Sequence, residues 1–271
     1  MHGCAVNGLK IGDGAPVRSM GVINCSPESF FIGSYFVGHD IRMRALEMAE
    51  HGADIIDIGA RSTAPMSRCI SVACEQDRMA GALKELEGSG LTISVDTMRP
   101  EVLTTALRYD IHAINDISGL VNPEFAKIAA DSGLPCFLMA TLSTPGDPRD
   151  LRATFAALGE VVSRCESRSI ENFVLDPAIG KWHPDRSTSL DWEICRHFDE
   201  LACFDHPLLA AISRKTFLGE LLFETDPADR LAGSLALTVL LLKKGADIVR
   251  CHDVKETADI LRVFEKMENR G

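Results

Sequence analysis

Short apolar runs along this chain repeatedly end on a polar or charged residue. Examples are Val22-Ile23-Asn24, Ile93-Ser94-Val95-Asp96, Ala113-Ile114-Asn115-Asp116, Phe173-Val174-Leu175-Asp176, Ala211-Ile212-Ser213-Arg214-Lys215 and Ile248-Val249-Arg250-Cys251-His252. A strand buried on both faces reads as such a continuous run, which is typical of parallel sheets. The pattern predicts strands over 18–24, 55–58, 92–96, 113–116, 136–139, 173–176, 208–213 and 247–251. Helix-like segments lie between them, with matching punctuation. A helix over 41–50 closes on His51-Gly52, Pro100 opens another, Asp150 is placed to cap a third, and Pro227 precedes the apolar stretch 235–242. This alternation predicts an α/β fold, a (β/α)8 TIM barrel whose strand ends converge on one mouth. Before it, Val6-Asn7-Gly8-Leu9 sets an Asn-Gly turn between apolar flanks, so residues 1–17 are expected to form a short N-terminal hairpin plugging the barrel floor.

Composition narrows the class. A chain of 271 residues without a linker or charge block suits one barrel, which takes about 250 residues, so 1–271 is expected to be a single domain. Hydrophobic residues at 46% and charged residues at 25% disfavour disorder and coiled coil. A net charge of -11 argues against a nucleic-acid surface, which needs clustered cations. An anionic substrate would require a few cations concentrated in one cleft. Nine cysteines without a Cys-x-x-Cys pair, and no basic segment followed by an apolar core at the start, predict reduced thiols and a cytoplasmic location. The stretch 235–242 falls well short of the roughly 20 residues that span a bilayer, so no membrane segment is expected.

Several strand ends could carry chemistry. Asp96 and Asp176 each follow an apolar run and could act as acid and base, hold a divalent metal, or accept hydrogen bonds from a ligand with several N–H donors. Together with Asn115 and Lys215 they suit a planar heterocycle bearing amino, imino and carbonyl groups, although Asn115 and Asp116 could instead cap the following turn. Arg250 and His252, two apart on a strand, project to one side as a cationic edge suited to phosphate. Asp253 and Glu256 then read as a helix start that would add its dipole, the alternative being an ordinary Arg250–Asp253 surface pair. Asn24 offers a hard oxygen that Mg2+ accepts alongside phosphate oxygens, and the aromatic, glycine-bracketed stretch 24–38 reads as a lid. No cysteine or histidine spacing resembles a zinc site. Cys25 reads as packed rather than nucleophilic.

In order along the chain, Met20-Gly-Val-Ile-Asn24-Cys-Ser-Pro-Glu-Ser-Phe30, Gly52-Ala-Asp-Ile-Ile-Asp-Ile-Gly-Ala-Arg-Ser62-Thr63, Ser94-Val-Asp96-Thr, Ile114-Asn115-Asp116-Ile-Ser-Gly, Leu175-Asp176-Pro-Ala-Ile-Gly180, Ser213-Arg214-Lys215 and Val249-Arg250-Cys-His252-Asp253-Val resemble the dihydropteroate synthase family. The resemblance runs from about Met20 to Val263 and implies a pterin-binding barrel. Such a barrel joins 6-hydroxymethyl-7,8-dihydropterin diphosphate to 4-aminobenzoate or a related arylamine and releases diphosphate. It further implies that Asp96, Asn115, Asp176 and Lys215 hold the pterin, that Asn24, Thr63, Arg250 and His252 hold the diphosphate with Mg2+ near Asn24, that Ser213 and Arg214 meet the acceptor, and that the chain forms a homodimer. The resemblance thereby implies Asn24, Lys215, Arg250 and His252 as the catalytic residues.

Departures from the family cluster in loops. Phe31-Ile32-Gly33-Ser34 stands where Asp-Gly-Gly is usual, and Ala64-Pro65 where Arg-Pro is usual. The segment from Met139 to Gly146 lacks a His-Met-x-Gly character, and Gly180-Lys181-Trp182-His183 replaces a Gly-Phe-Gly-Lys loop. Changed loops over a kept floor leave room for another arylamine, such as the ribofuranosyl-aminobenzene phosphate of methanopterin synthesis. Two further readings stand beside the synthase: a pterin-dependent methyltransferase serving a corrinoid partner, and a barrel that binds pterin without turnover. Lys215 and the Arg250/His252 edge favour the synthase.

Overall fold

The computed structural model describes residues 3–26, 38–62, 67 and 69–268. Strands β1 (Cys4–Val6) and β2 (Leu9–Ile11) form an antiparallel hairpin in which Val6 faces Leu9. Asn7 and Gly8 between them have φ of 48° and 81°, the two left-handed positions a tight type I′ turn needs.

Eight parallel strands follow: β3 (Arg18–Asn24), β4 (Ile55–Gly59), β5 (Ile93–Asp96), β6 (Ala113–Asp116), β7 (Cys136–Met139), β8 (Phe173–Asp176), β9 (Leu209–Ala210) and β10 (Ile248–Cys251). Their order is β8-β7-β6-β5-β4-β3-β10-β9, and a Leu175–Leu208 bridge between β8 and the start of β9 closes the ring. The seam is thin there. The strand expected over 208–213 pairs over only two residues, because Lys215 N–H turns back to the Ile212 carbonyl at 3.3 Å and Arg214 takes a φ of 57°. That turn aims Lys215 at the mouth.

The outer layer, among the described residues, is α1 (His39–Glu50), α2 (Val72–Leu86), α3 (Pro100–Ala106), α4 (Pro123–Ser132), α5 (Leu151–Glu166), α6 (Thr188–Arg196), α7 (Thr216–Leu222), α8 (Leu231–Lys243) and α9 (Val254–Glu268). Side-chain oxygens start several of them by accepting the first free N–H groups: Ser71 for α2, Asn122 for α4 and Asp150 for α5. Pro100 occupies the first turn of α3, where its missing N–H costs nothing. Pro227 opens a short 3-10 turn (Pro227–Arg230) rather than α8 itself.

Two cores follow from the period-2 geometry of the strands. Ile23, Ile56, Ile58, Val95, Ile114, Leu138, Leu175 and Val249 face the helices. Their alternates Met20, Ile55, Ala113, Phe137, Val174, Leu209 and Ile248 fill the barrel interior together with Cys4, Val6 and Ile11 of the hairpin. The hairpin therefore plugs the floor, as its sequence predicts. Continuing that inward parity toward the strand ends brings Asn24, Asp57, Asp96, Asn115, Asp176 and Arg250 to the same interior, above an apolar base. No described helix is long and apolar enough to cross a membrane.

Candidate active site

Arg250 organises one half of the mouth. Its Nε donates to Asp57 Oδ2 at 2.8 Å, and its Nη2 reaches Asp57 Oδ2 at 2.7 Å and Asp96 Oδ2 at 2.8 Å. Asn115 Nδ2 donates to the same Asp57 oxygen at 2.9 Å. Asp57 is fully buried, and its Oδ1, like Ser94 Oγ on the neighbouring strand, has no hydrogen-bond partner among the described residues. Burial, opposed by Arg250 and reinforced by the nearby Asp57 carboxylate, raises the Asp96 carboxyl to about 7. The alternative reading of Asn115-Asp116 divides between the two residues. Asp116 faces outward and takes the Ser118 and Leu120 N–H groups at 2.7 and 2.8 Å as a turn cap, while Asn115 faces the interior.

The other half holds Asp176 and Lys215. Asp176 Oδ1 accepts the Ala178 N–H at 2.8 Å, and burial raises its carboxyl against the pull of that bond and of Lys215. Burial lowers the Lys215 ammonium, with Asp176 opposing. Lys215 Nζ lies 4.8 Å from the centroid of the Trp182 ring.

The expected phosphate edge is partly redrawn. His252 N–H donates to Ser213 Oγ at 3.3 Å, and its Nδ1 shares a 3.1 Å hydrogen bond with the same hydroxyl. Burial, with Arg250, Lys215 and Arg214 nearby, drops the imidazole to about 3. His252 is therefore neutral at physiological pH, and Arg250, rather than an Arg250–His252 pair, supplies the fixed positive charge. Arg214 also departs from expectation. Its guanidinium turns away from an acceptor role to grip Asp253 at 2.9 and 2.6 Å and the Pro227 and Ala228 carbonyls at 2.8 and 2.6 Å. Asp253 consequently pairs with Arg214, not with Arg250. Ser213 stays at the mouth against His252. Thr63 and the changed loop positions Phe31-Ile32-Gly33-Ser34 and Ala64-Pro65 lie outside the described residues.

Asn24 stands where expected, at the end of β3. Its Oδ1 lies against Gly59, where a Cβ would come within 3.3 Å of it and 3.8 Å of Asp96 Oδ2. No group of three or more His, Cys, Asp or Glu side chains gathers around a metal position among the described residues. An amide oxygen at this strand end, with the Asp96 carboxylate across Gly59, fits a hard ion that takes most of its ligands from water and phosphate, as Mg2+ does, and fits zinc poorly. Cys25 is buried and its thiol is pushed up to about 12 by desolvation, which makes it a packing residue.

Asp57 is the site residue the strand-end pattern overlooks, because it lies inside the apolar run rather than at its end. A carboxylate between Ile56 and Ile58 is itself the signal, since only an inward pairing makes such a burial tolerable. A second overlooked cluster lies beside the mouth. Arg61 Nε and Arg99 Nη1 both meet Glu75 Oε2, at 3.1 and 3.0 Å, and Thr97 Oγ1 donates to Glu75 Oε1 at 2.8 Å.

Residues 20–252 match the family model described as pterin binding enzyme. The chain is 35% identical over 263 residues to a dihydropteroate synthase of Escherichia coli, covering 91% of this chain and 90% of that protein. Among solved structures it is similar to the Yersinia pestis dihydropteroate synthase in complex with a sulfonamide drug, with a TM-score of 0.88, 32% identity and coverage of 99% and 100% of the two chains. It is also similar to the Xanthomonas albilineans dihydropteroate synthase with 4-aminobenzoic acid, with a TM-score of 0.87, 31% identity and 98% coverage of each chain.

Proposed function

Because this chain belongs to the dihydropteroate synthase family of pterin-binding enzymes, we infer that its barrel mouth is the active site of a transferase. The enzyme condenses 6-hydroxymethyl-7,8-dihydropterin diphosphate with 4-aminobenzoate or a related arylamine. The amine nitrogen bonds to the pterin methylene carbon, the C–O bond breaks, and its electron pair leaves with diphosphate while the amine gives up a proton. No enzyme nucleophile is required. Catalysis rests on holding the two substrates in line and on fixed charges that meet the leaving group.

The observation that carries this reading is the inward layer of Asp96, Asn115 and Asp176 flanked by Arg250 and Lys215. Acceptors of this kind match a ring edge with amino and imino donors, and Lys215 can donate to the ring carbonyl. Asp57 fixes Arg250 and Asn115 by accepting from both. Arg250 and Lys215 then face the departing diphosphate, with His252 as a neutral hydrogen-bonding partner, and the family resemblance adds Thr63 to that set. Ser213 lies toward the acceptor. Mg2+ held by Asn24 and the phosphate oxygens would add positive charge to the leaving group.

The wider setting follows the same reading. All nine cysteines are free thiols, which supports a reducing cytoplasm. Large hydrophobics exposed at Leu221, Leu222, Phe223, Leu240, Val263 and Met267 support a homodimer through α7, α8 and α9. A product-mass assay offering the pterin diphosphate with 4-aminobenzoate and its ribofuranosyl phosphate derivative together tests the activity and identifies the acceptor. A pterin–arylamine adduct with matching diphosphate release is expected, and absence of both would overturn the reading. In that assay Asp176→Ala should abolish pterin binding, whereas Arg250→Ala should chiefly lower turnover.

A further inference from the structure

The loop after β8 carries an aromatic side chain that the expected pterin and diphosphate contacts leave unused. Trp182 donates its indole N–H to the Ala178 carbonyl at 3.0 Å and its backbone N–H to Gly180 at 3.1 Å. Its side chain rests on the loop after β7. At Gly146, which has a φ of 70°, an added Cβ would fall 2.0 Å from Trp182 Cβ and 2.3 Å from Cγ. Lys215 Nζ lies over the ring and runs so close to Gly180 that a Cβ there would stand 2.9 Å from it.

Buried polar contacts lock this arrangement from behind. Arg186 donates to the Ala178 carbonyl at 2.7 Å and lies 3.3 Å from Asp191, which accepts the Gly180 N–H at 2.8 Å. The same guanidinium reaches the Gly146 and Pro148 carbonyls at 3.4 Å. Two loops are thus tied together around one ring, and the ring meets one ammonium.

We infer that Trp182 is a positioning residue whose ring face holds the Lys215 ammonium at the pterin edge beside Asp176, with Gly146 and Arg186 fixing the ring in place. The inference rests on the reading of Lys215 as a pterin contact. A lysine on a flexible four-carbon stem needs such restraint more than an arginine fork does. Burial disfavours the charged ammonium, and an aromatic face attracts a cation without supplying a competing carboxylate. Asp176 is thereby left to accept from the substrate rather than to neutralise the lysine alone.

The test reads Lys215 directly. Competitive acetylation across a pH series, quantified on the Lys215 peptide by mass spectrometry, gives the titration midpoint of its amine without any need for turnover. Trp182→Leu keeps apolar bulk and removes the π face, so the midpoint should fall by about half a unit to one unit. Trp182→Phe should lie between that variant and the unaltered protein. Fluorinated tryptophans incorporated in place of Trp182 keep its shape while weakening the ring's attraction for cations, so the midpoint should step down with each fluorine, even if Trp182→Leu fails to fold. In steady state Trp182→Leu should raise KM for the pterin diphosphate about tenfold and leave KM for the arylamine nearly unchanged. An unmoved Lys215 midpoint across the fluorinated series, or equal damage by Phe and Leu with that midpoint unmoved, would reduce Trp182 to packing. If the unaltered protein released no diphosphate, the functional reading would fall, and the acetylation series would still decide the role of Trp182.

Discussion

Asp96 sits between two opposed influences, burial and the neighbouring Arg250 guanidinium. Desolvation drives its carboxyl to about 7, and Arg250 holds it from going higher. In its proposed role as an acceptor for pterin N–H groups Asp96 must be ionised, so kcat/KM should rise with pH through about 7, a limb that reports the free enzyme. Removing the guanidinium in Arg250→Ala takes away the attraction that favours the carboxylate, and the limb should move to higher pH. Asp96→Asn should erase it. A profile that keeps its acid limb in Asp96→Asn would assign the limb to another group. His252 cannot supply it, since an imidazole held near 3 is already neutral across that range.

At the scale of elements, the hairpin and the strand parity set the height at which these side chains stand. Ile11 is fully buried among Met20, Phe137, Val174 and Ile248, so Ile11→Ala should cost about 2–5 kcal/mol by leaving a cavity in the barrel floor. A lowered urea midpoint with an unchanged slope would register that loss, and an unchanged midpoint would mean that the hairpin does not brace the floor. Much of this architecture was legible beforehand. Asn7-Gly8, Pro100 and Asp150 act through local backbone chemistry, which sequence displays directly. Strand ends at Asn24, Asp96, Asn115 and Asp176 were legible because apolar runs stop at them. Features created by distant pairing were not. Arg214 turns to Asp253 across 39 residues, β9 shortens at the seam, and Asp57 is recruited by Arg250 across 193 residues. The neutral state of His252 likewise arises from burial and from cations on other strands, none of which its sequence neighbours reveal.

The molecule as a whole bears a net charge of -11 yet places Arg250 and Lys215 together at one mouth, so its anionic substrate is met by local charge rather than by overall attraction. The helices leading away from that mouth carry the apolar surface. α7 starts one residue after Lys215, α9 starts two residues after His252, and α8 lies between them. Leu240, Val263 and Met267 are 58%, 65% and 75% exposed on α8 and α9, and α8 is apolar nearly all round, which in a water-facing helix signals a covered face. The proposed homodimer, burying this surface, would brace α8 together with α9, whose first residue lies two after His252. Val263→Glu combined with Met267→Glu would place facing carboxylates in that interface. Sedimentation should then show the mass falling from twice 29.5 kDa to 29.5 kDa, and the thermal midpoint should lose its dependence on protein concentration. A doubly substituted protein that still sediments at twice the chain mass would exclude α9 from the interface.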